Sequence, residues 1–138
     1  MAKVVRFGVS LEPELLKQFG RLLTARRYTN RSEAVRDLIR NALIEEDWRV
    51  GNREAAGVVT LLYDHASMEL AQRLTHLQHD QHAQIVSSLH VHLDHHNCLE
   101  VLVMRGRARD IRSAADRLIG TRGVKHGKLT MTATGRAL

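Results

Sequence analysis

The sequence has a single cysteine, few aromatic residues and no long apolar segment in its 138 residues. One thiol, Cys98, excludes an intrachain disulfide and is compatible with a reducing compartment. Aromatic residues make up only 4% of the chain, so any core has to be built mainly from aliphatic side chains. No apolar segment approaches the roughly 20 residues that span a membrane, and the N-terminus lacks the apolar stretch of a signal peptide. We therefore expect a cytoplasmic protein that does not contact a membrane.

Charged residues are abundant, and the positive excess is concentrated in the N-terminal third of the chain. The whole sequence has 21 Lys and Arg against 15 Asp and Glu, a formal net charge of +6. Residues 1–44 contain nine of the basic residues and four of the acidic ones, and nine minus four gives +5. Because phosphate groups are attracted to such a surface, this third is the better candidate for contact with nucleic acid.

The same N-terminal third has the pattern of one strand followed by two helices. Apolar and polar residues alternate along residues 3–10, which predicts a half-buried strand. Pro13 then fits the first turn of a helix, and Asn30 can cap a second helix with Glu33 completing a capping box. Since one strand and two short helices bury too little apolar surface to be stable alone, we expect the strand to pair with that of a second chain.

This strand, the two helices and the residues 29–34 that open the second helix resemble the ribbon-helix-helix repressors. The resemblance implies that two paired strands enter the major groove of double-stranded operator DNA. It implies DNA contacts by three strand residues and by the start of the second helix, namely Arg6, Gly8, Ser10, Asn30, Arg31 and Ser32. Gly8 departs from the polar residue common at its position, so Arg6 and Ser10 would provide most of the base contacts.

The rest of the sequence predicts a βαββαβ domain. Strands are expected at 58–63, 85–94, 98–104 and 124–132, with helices at 70–77 and 111–119. This order is the split βαβ of ferredoxin-like folds, and it resembles the ACT regulatory domains. The fold class is therefore α+β, with a ribbon-helix-helix domain at residues 1–48, a linker at 49–57 and an ACT-like domain at 58–138.

Eight of the nine histidines lie between residues 65 and 96, close to the only cysteine. The apolar residues of two neighbouring strands are expected to face the core, namely Leu89, Val91, Leu93, Leu99, Val101 and Val103. His90, His92 and Cys98 would then share the outer face beside a tight turn, together with Glu100. Two imidazoles and a thiolate placed in this way predict a metal site. The spacing leaves the metal open, because zinc, Ni(II) and Cu(II) all accept these ligands.

The segment 89–100 closely resembles the metal-binding motif of NikR-type nickel-responsive regulators. The resemblance implies one Ni(II) per subunit, bound by His90, His92 and Cys98 with a histidine of another subunit. That fourth ligand maps to His79, with His76 and His82 as rival positions. The resemblance further implies a homotetramer that is a dimer of dimers, and a repressor of nickel-uptake genes rather than an enzyme.

Several residues are candidates for secondary roles around this site. Gln78 and Glu100 are candidates for orienting the metal ligands through hydrogen bonds. In the NikR-type regulators Glu33 and Asp37 contribute to a cation site between the domains, and the resemblance extends this role to the present chain. Weaker metal binding is a further option, for which the candidates are His65, His82 and His95.

Other functions remain open from the sequence. The chain could respond to zinc, copper or cobalt, or to an amino acid through its ACT-like domain, although an amino-acid sensor would leave the convergence of His90, His92 and Cys98 unexplained. A zinc hydrolase would need an open coordination position and a placed acid or base, for which Glu100 is the one candidate. A passive nickel store would not explain the basic N-terminal arm.

Overall fold

The computed structural model describes residues 3–77, 79, 83–136 and 138. Across these residues the elements are α1 Pro13–Ala25, α2 Arg31–Val50, β1 Glu54–Asp64, α3 Met68–Leu77, β2 Ala83–His92, β3 Asn97–Arg107, α4 Ala108–Ile119 and β4 Val124–Thr132. The chain divides into two compact units, Met1–Arg40 and Asn41–Leu138. Within the described residues, no helix combines the length and apolar character needed to cross a membrane.

The first unit contains α1 and the start of α2. Pro13 occupies the first turn of α1, where the N–H that proline lacks would have had no partner inside the helix. The side chain of Asn30 accepts a hydrogen bond from the backbone N–H of Glu33 at 2.9 Å, as expected of a helix cap. The Glu33 carboxylate accepts a second bond from the Thr29 hydroxyl at 3.1 Å, so two side-chain bonds close the start of α2.

Residues 3–12 form no strand in the single described chain, although the sequence predicts one at 3–10. A strand needs a neighbour for its backbone hydrogen bonds, and the expected neighbour is a second chain. Val5, Phe7 and Val9 are all largely exposed, so the apolar side of this segment also has no cover within one chain. The strand predicted at 3–10 and its pairing with a second chain therefore stay predictions.

The second unit is a four-stranded antiparallel sheet in the order β2-β3-β1-β4. Helices α3 and α4 pack on one of its faces, and the element order confirms the predicted βαββαβ arrangement. The core between helices and sheet includes Val59 and Leu61 from β1, Leu102 from β3 and Ile111 from α4, all fully or almost fully buried. Within the second unit, the described helices leave the opposite face of the sheet uncovered.

Strand β1 begins at Glu54, four residues before the predicted start at residue 58. Its register with β3 continues to the pair Glu54 and Arg107, and the Glu54 carboxylate accepts a hydrogen bond from Arg105 Nε at 2.6 Å. The first four residues of β1 are Glu, Ala, Ala and Gly, which have low strand propensity and hide the strand in the sequence. Residues 49–57, the expected linker, thus include the end of α2 and the start of β1.

Small residues at the start of β1 leave room for the indole of Trp48. A Cβ atom on Gly57 would lie 3.1 Å from Leu129, 3.2 Å from Ile111 and 3.3 Å from Trp48. Trp48 is buried, and its indole N–H donates to the carbonyl of Thr132 at 2.9 Å. Because Gly57 has no side chain, Trp48, Ile111 and Leu129 can pack directly against its backbone.

The faces predicted for β2 and β3 are reversed in the structure. Leu89 is 60% exposed and Leu93 is 54% exposed, whereas Cys98 and Leu102 are buried beneath the helices. The buried positions of β3 are Cys98, Glu100, Leu102 and Met104, and the more accessible ones are Leu99, Val101 and Val103. Both sets are mostly apolar, so alternation alone could not identify the face that the helices cover. The prediction that Cys98 points outward is accordingly wrong.

Candidate metal centre and DNA-contacting residues

The hairpin of β2 and β3 places the candidate ligands near its tight turn. His92 pairs with Cys98, and His90 pairs with Glu100. Directly opposite residues of an antiparallel pair project from the same face of the sheet, so these four side chains share one face. That face is the one on which α3 and α4 pack, although His90 and His92 themselves remain exposed.

The turn itself is closed by Asp94. Its carboxylate accepts hydrogen bonds from the backbone N–H groups of His96 and Asn97, both at 2.8 Å, and from the Asn97 side chain at 3.0 and 3.1 Å. The bonds from the Asn97 side chain, followed by those from the two backbone groups, lower the pKa of Asp94 from 3.8 to about 2. The Asp94 carboxylate is therefore ionised when it holds the turn.

Three potential ligand atoms converge at this end of the sheet. The Cys98 sulfur lies 3.5 Å from Nδ1 of His92 and 3.5 Å from Nδ1 of His65. All the ligand atoms of this group lie within 4.8 Å of one another, and it is the one such group of three or more among the described residues. The thiol has no exposed surface.

His65 enters the cluster through the loop that follows β1. Because β1 pairs Asp64 with Asn97 of β3, the next residue, His65, lies beside the β2–β3 turn. The backbone N–H of His65 then donates to the carbonyl of His96 at 2.8 Å. The sequence indicated only a secondary role for His65, because its position depends on the pairing of β1 with β3, which the local sequence does not specify.

His90 on β2 is held by two buried side chains, one from the adjacent strand β3 and one from β1 beyond it. Its Nδ1 lies 2.8 Å from Oε2 of Glu100 and 2.9 Å from the hydroxyl oxygen of Tyr63. An ionised Glu100 can only accept, so Nδ1 carries the proton and Nε2 keeps its lone pair available for a metal. Burial, followed by the charge of Glu100, raises the pKa of Tyr63 to about 12, so the phenol stays neutral.

Glu100 thus contacts Nδ1 of the predicted ligand His90, which is the contact that its candidate role requires. Tyr63 has the same kind of contact but was not singled out in the sequence. A tyrosine that ends an apolar strand is an ordinary core residue, and only the pairing of β1 with β3 brings its hydroxyl to His90. Among the described residues, every buried side-chain nitrogen or oxygen has a hydrogen-bond partner, and this holds for Tyr63 and Glu100 as well.

His79 lies just beyond α3 and is exposed. It lines an open groove with His65 and His76, and its backbone N–H donates to the carbonyl of His76 at 3.2 Å. Among the described residues, its ring is not part of the cluster around Cys98. Its predicted role as a ligand from another subunit stays a prediction, and Gln78 and His82 lie outside the described residues.

The residues predicted to contact DNA are exposed in the first unit, and they are Arg6, Gly8, Ser10, Asn30, Arg31 and Ser32. Asn30 already caps α2 through its side chain. Asp37 accepts a hydrogen bond from the hydroxyl of Tyr28 at 2.6 Å. The predicted roles of Glu33 and Asp37 in a cation site stay predictions, as do the DNA contacts.

Two family models match the chain. One, described as the NikR C-terminal nickel-binding domain, matches residues 56–132, and the other, a ribbon-helix-helix protein of the copG family, matches residues 5–46. A protein of Geobacter sp. (strain M21) is 58% identical over 138 residues, and one of Nitratidesulfovibrio vulgaris (strain DSM 19637 / Miyazaki F) is 56% identical over the same length. Each alignment covers 100% of this chain and 99% of the relative. Both relatives carry the provisional name of nickel-responsive regulator.

These matches cover both halves of the chain in the order that the sequence predicts, and they extend over the strands that carry His90, His92 and Cys98. The chain therefore belongs to the NikR family of nickel-responsive regulators, with an N-terminal ribbon-helix-helix domain and a C-terminal nickel-binding domain.

Proposed function

We propose that the chain is a nickel-responsive repressor that binds operator DNA in front of genes for nickel uptake. The observation that carries the proposal is the shared face of His90, His92 and Cys98, with His92 Nδ1 3.5 Å from the thiol sulfur. Family membership supports nickel over an amino acid as the effector, and the family consists of transcriptional regulators.

The proposed ligands for one Ni(II) per chain are His90, His92 and Cys98 with His79 of a second chain. Imidazole and thiolate donors suit this metal, and three nitrogens with one sulfur suit a planar arrangement. When bound, the ion supplies a link between two chains. Glu100 and Tyr63 contribute by holding Nδ1 of His90, which leaves Nε2 as the donor atom.

We infer that the working assembly is a homotetramer, a dimer of dimers, from two apolar surfaces that one chain leaves uncovered. In the first unit, Val5, Phe7 and Val9 would be buried when two strands pair as a ribbon. In the second unit, the sheet face that lacks helices exposes Leu89 and other apolar side chains. Contiguous apolar surfaces of this kind mark contacts between proteins.

The DNA contacts are proposed for the ribbon and for the start of α2. Arg6 suits a bidentate contact with guanine, and Ser10 can donate or accept at a base edge. Gly8 permits close approach of the backbone. The free amides and helix dipole near Asn30, Arg31 and Ser32 suit a DNA phosphate. The domain limits proposed for these functions are 1–48 and 58–138.

The proposal is tested by selecting bound sequences from a random pool of double-stranded DNA with and without Ni(II). We expect enrichment of a repeated half-site only with Ni(II), and an equal effect of the selected DNA on nickel affinity by linkage. Cys98→Ala should remove the nickel dependence, whereas Arg6→Ala should remove enrichment while nickel binding persists. Equal enrichment without the metal, or a Cys98→Ala protein that still responds to it, would contradict the proposal.

A further inference from the structure

We propose that Arg73 is a positioning residue for His79, because it ties α3 to the end of α4 and so fixes where α3 lies on the sheet. This inference rests on the proposed function, in which His79 is the nickel ligand contributed by a second chain. His79 lies just beyond α3, which ends at Leu77, and its backbone N–H donates to the carbonyl of His76 at 3.2 Å. The position of His79 is therefore set by the position of α3.

Apolar burial alone specifies the position of α3 loosely. The helix has only 10 residues, which is too short for a helix to be stable in water without packing. It packs through Leu70 and Leu77, which are buried, and through Leu74, which is partly buried. The hydrophobic effect depends on the area removed from water and has no direction. A small slide or rotation of α3 would therefore keep most of this burial and still displace His79.

Arg73 makes directional contacts that oppose such a movement. Its Nη1 donates to the backbone carbonyl of Arg117 at 2.8 Å and to the hydroxyl oxygen of Thr121 at 3.1 Å. Its Nη2 lies 3.3 Å from a carboxylate oxygen of Glu69, one turn earlier on α3. The planar guanidinium is thus held by groups of α3 and of the C-terminal end of α4, and hydrogen bonds from a charged donor are the stronger kind.

The carbonyl that Arg73 contacts lies at a place where a positive charge is favoured. The last carbonyl groups of a helix lack partners within it and carry partial negative charge. The backbone N–H of Thr121 donates to the carbonyl of Leu118 at 3.1 Å, and its hydroxyl donates to the carbonyl of Arg117 at 2.7 Å. Thr121 is buried, so this acceptor pair is itself fixed in the core. Arg73 therefore binds to a rigid point of the domain.

A second polar contact holds the start of α3. The Ser67 hydroxyl donates to the carbonyl of Arg122 at 2.9 Å and accepts from the backbone N–H of Leu70 at 3.4 Å. This contact fixes the first turn of the helix, whereas Arg73 lies in its second half. Among the described residues of α3, Arg73 is the one nearest to His79 whose side chain hydrogen-bonds to another element. Loss of Arg73 should therefore affect the end of α3 most.

Nickel affinity of the full-length protein, measured by competition with a chelator, tests this role in a double-mutant cycle. We expect Arg73→Gln to weaken nickel binding about tenfold, the lower end of the range for groups that support a metal ligand. In a His79→Gln background the same substitution should have no further effect, because the ligand through which Arg73 acts is then absent. Arg73→Lys should restore part of the affinity, since lysine keeps the charge and a donor but not the planar pair of contacts.

Hydrogen exchange of the metal-free protein provides a measurement that does not depend on nickel. The amides of α3 should exchange about threefold faster in Arg73→Gln than in wild type, whereas those of β1 and β3 should be unchanged. Arg109→Gln is the matched control, since it removes an exposed arginine side chain at the other end of α4. We expect wild-type exchange and wild-type nickel affinity for that control.

Unchanged nickel affinity in folded Arg73→Gln, together with a loss in His79→Gln, would overturn this inference and leave the proposed function standing. Equal losses from Arg73→Gln with and without His79 would also overturn it, because Arg73 would then act on the whole domain. Unchanged exchange of α3 in Arg73→Gln would show that Arg73 does not hold the helix. Unchanged affinity in His79→Gln would instead refute the proposed fourth ligand, and this inference with it.

Discussion

Replacement of Glu100 by Gln tests whether the buried carboxylate sets the donor atom of His90. The Glu100 side chain is 11% exposed and its Oε2 lies 2.8 Å from Nδ1. Glutamine keeps the shape and can still accept one hydrogen bond, but it removes the charge that favours the proton on Nδ1. Loss of such a supporting group costs about 10–100-fold in metal affinity, so we expect about tenfold weaker nickel binding, or about 1.4 kcal/mol. Glu100→Ala should lie nearer the upper end of that range.

Nickel affinity would be measured by competition with a chelator of known affinity at one fixed pH. Glu54→Gln is the matched control, because this carboxylate also accepts a short hydrogen bond in the sheet, from Arg105, but is partly exposed and at the far end of β1. We expect no change in nickel affinity for that control. Equal affinities for wild type and Glu100→Gln, with the fold intact by circular dichroism, would refute the assigned role of Glu100.

Three further predictions concern the fold and assembly. Gly57→Ala should lower the free energy of unfolding by about 1–3 kcal/mol in urea titrations, because the new methyl group overpacks the core beside Trp48; Gly8→Ala, with no atom within 4 Å, should leave it unchanged. Because the folded-state pKa of Asp94 is lowered, its stabilising effect is present above about pH 4 and is lost as the pH falls toward about 2. Asp94→Asn should therefore flatten the acid dependence of the urea midpoint between those values, and an unchanged profile would contradict this. Leu89→Lys should reduce the native mass from four chains to two in sedimentation, and a persisting tetramer would exclude this sheet face as the contact.

Local patterns in the sequence were sufficient for the order of the elements from Pro13 onward, whereas the strand predicted at 3–10 is not formed in the single chain. Pro13 and Asn30 mark helix starts because their effects act within one turn, and residues 124–132 form β4 as predicted. The start of β1 was missed because its first residues are small, and their place in the sheet depends on packing beneath Trp48.

The candidate site was only partly accessible from the sequence. His90, His92 and Cys98 lie on one short hairpin, so period-two alternation was enough to put them on one face. The contributions of Tyr63 and His65 depend on β1 pairing with β3, a contact between distant parts of the chain. The buried face of β3 could not be predicted either, since Leu99 and Leu102 are equally apolar and only the position of the helices distinguishes them.

The complete burial of Cys98 has a consequence for its reactivity. Thiol oxidation and alkylation require access of the reagent to the sulfur, and here that access is closed by the rings of His65 and His92 together with the surrounding sheet. A bare metal ion needs only a slight parting of two exposed rings, whereas a bulky alkylating reagent needs the hairpin to open. The fold therefore limits access to the sulfur by size, so alkylation of Cys98 by a bulky reagent depends on opening of the hairpin.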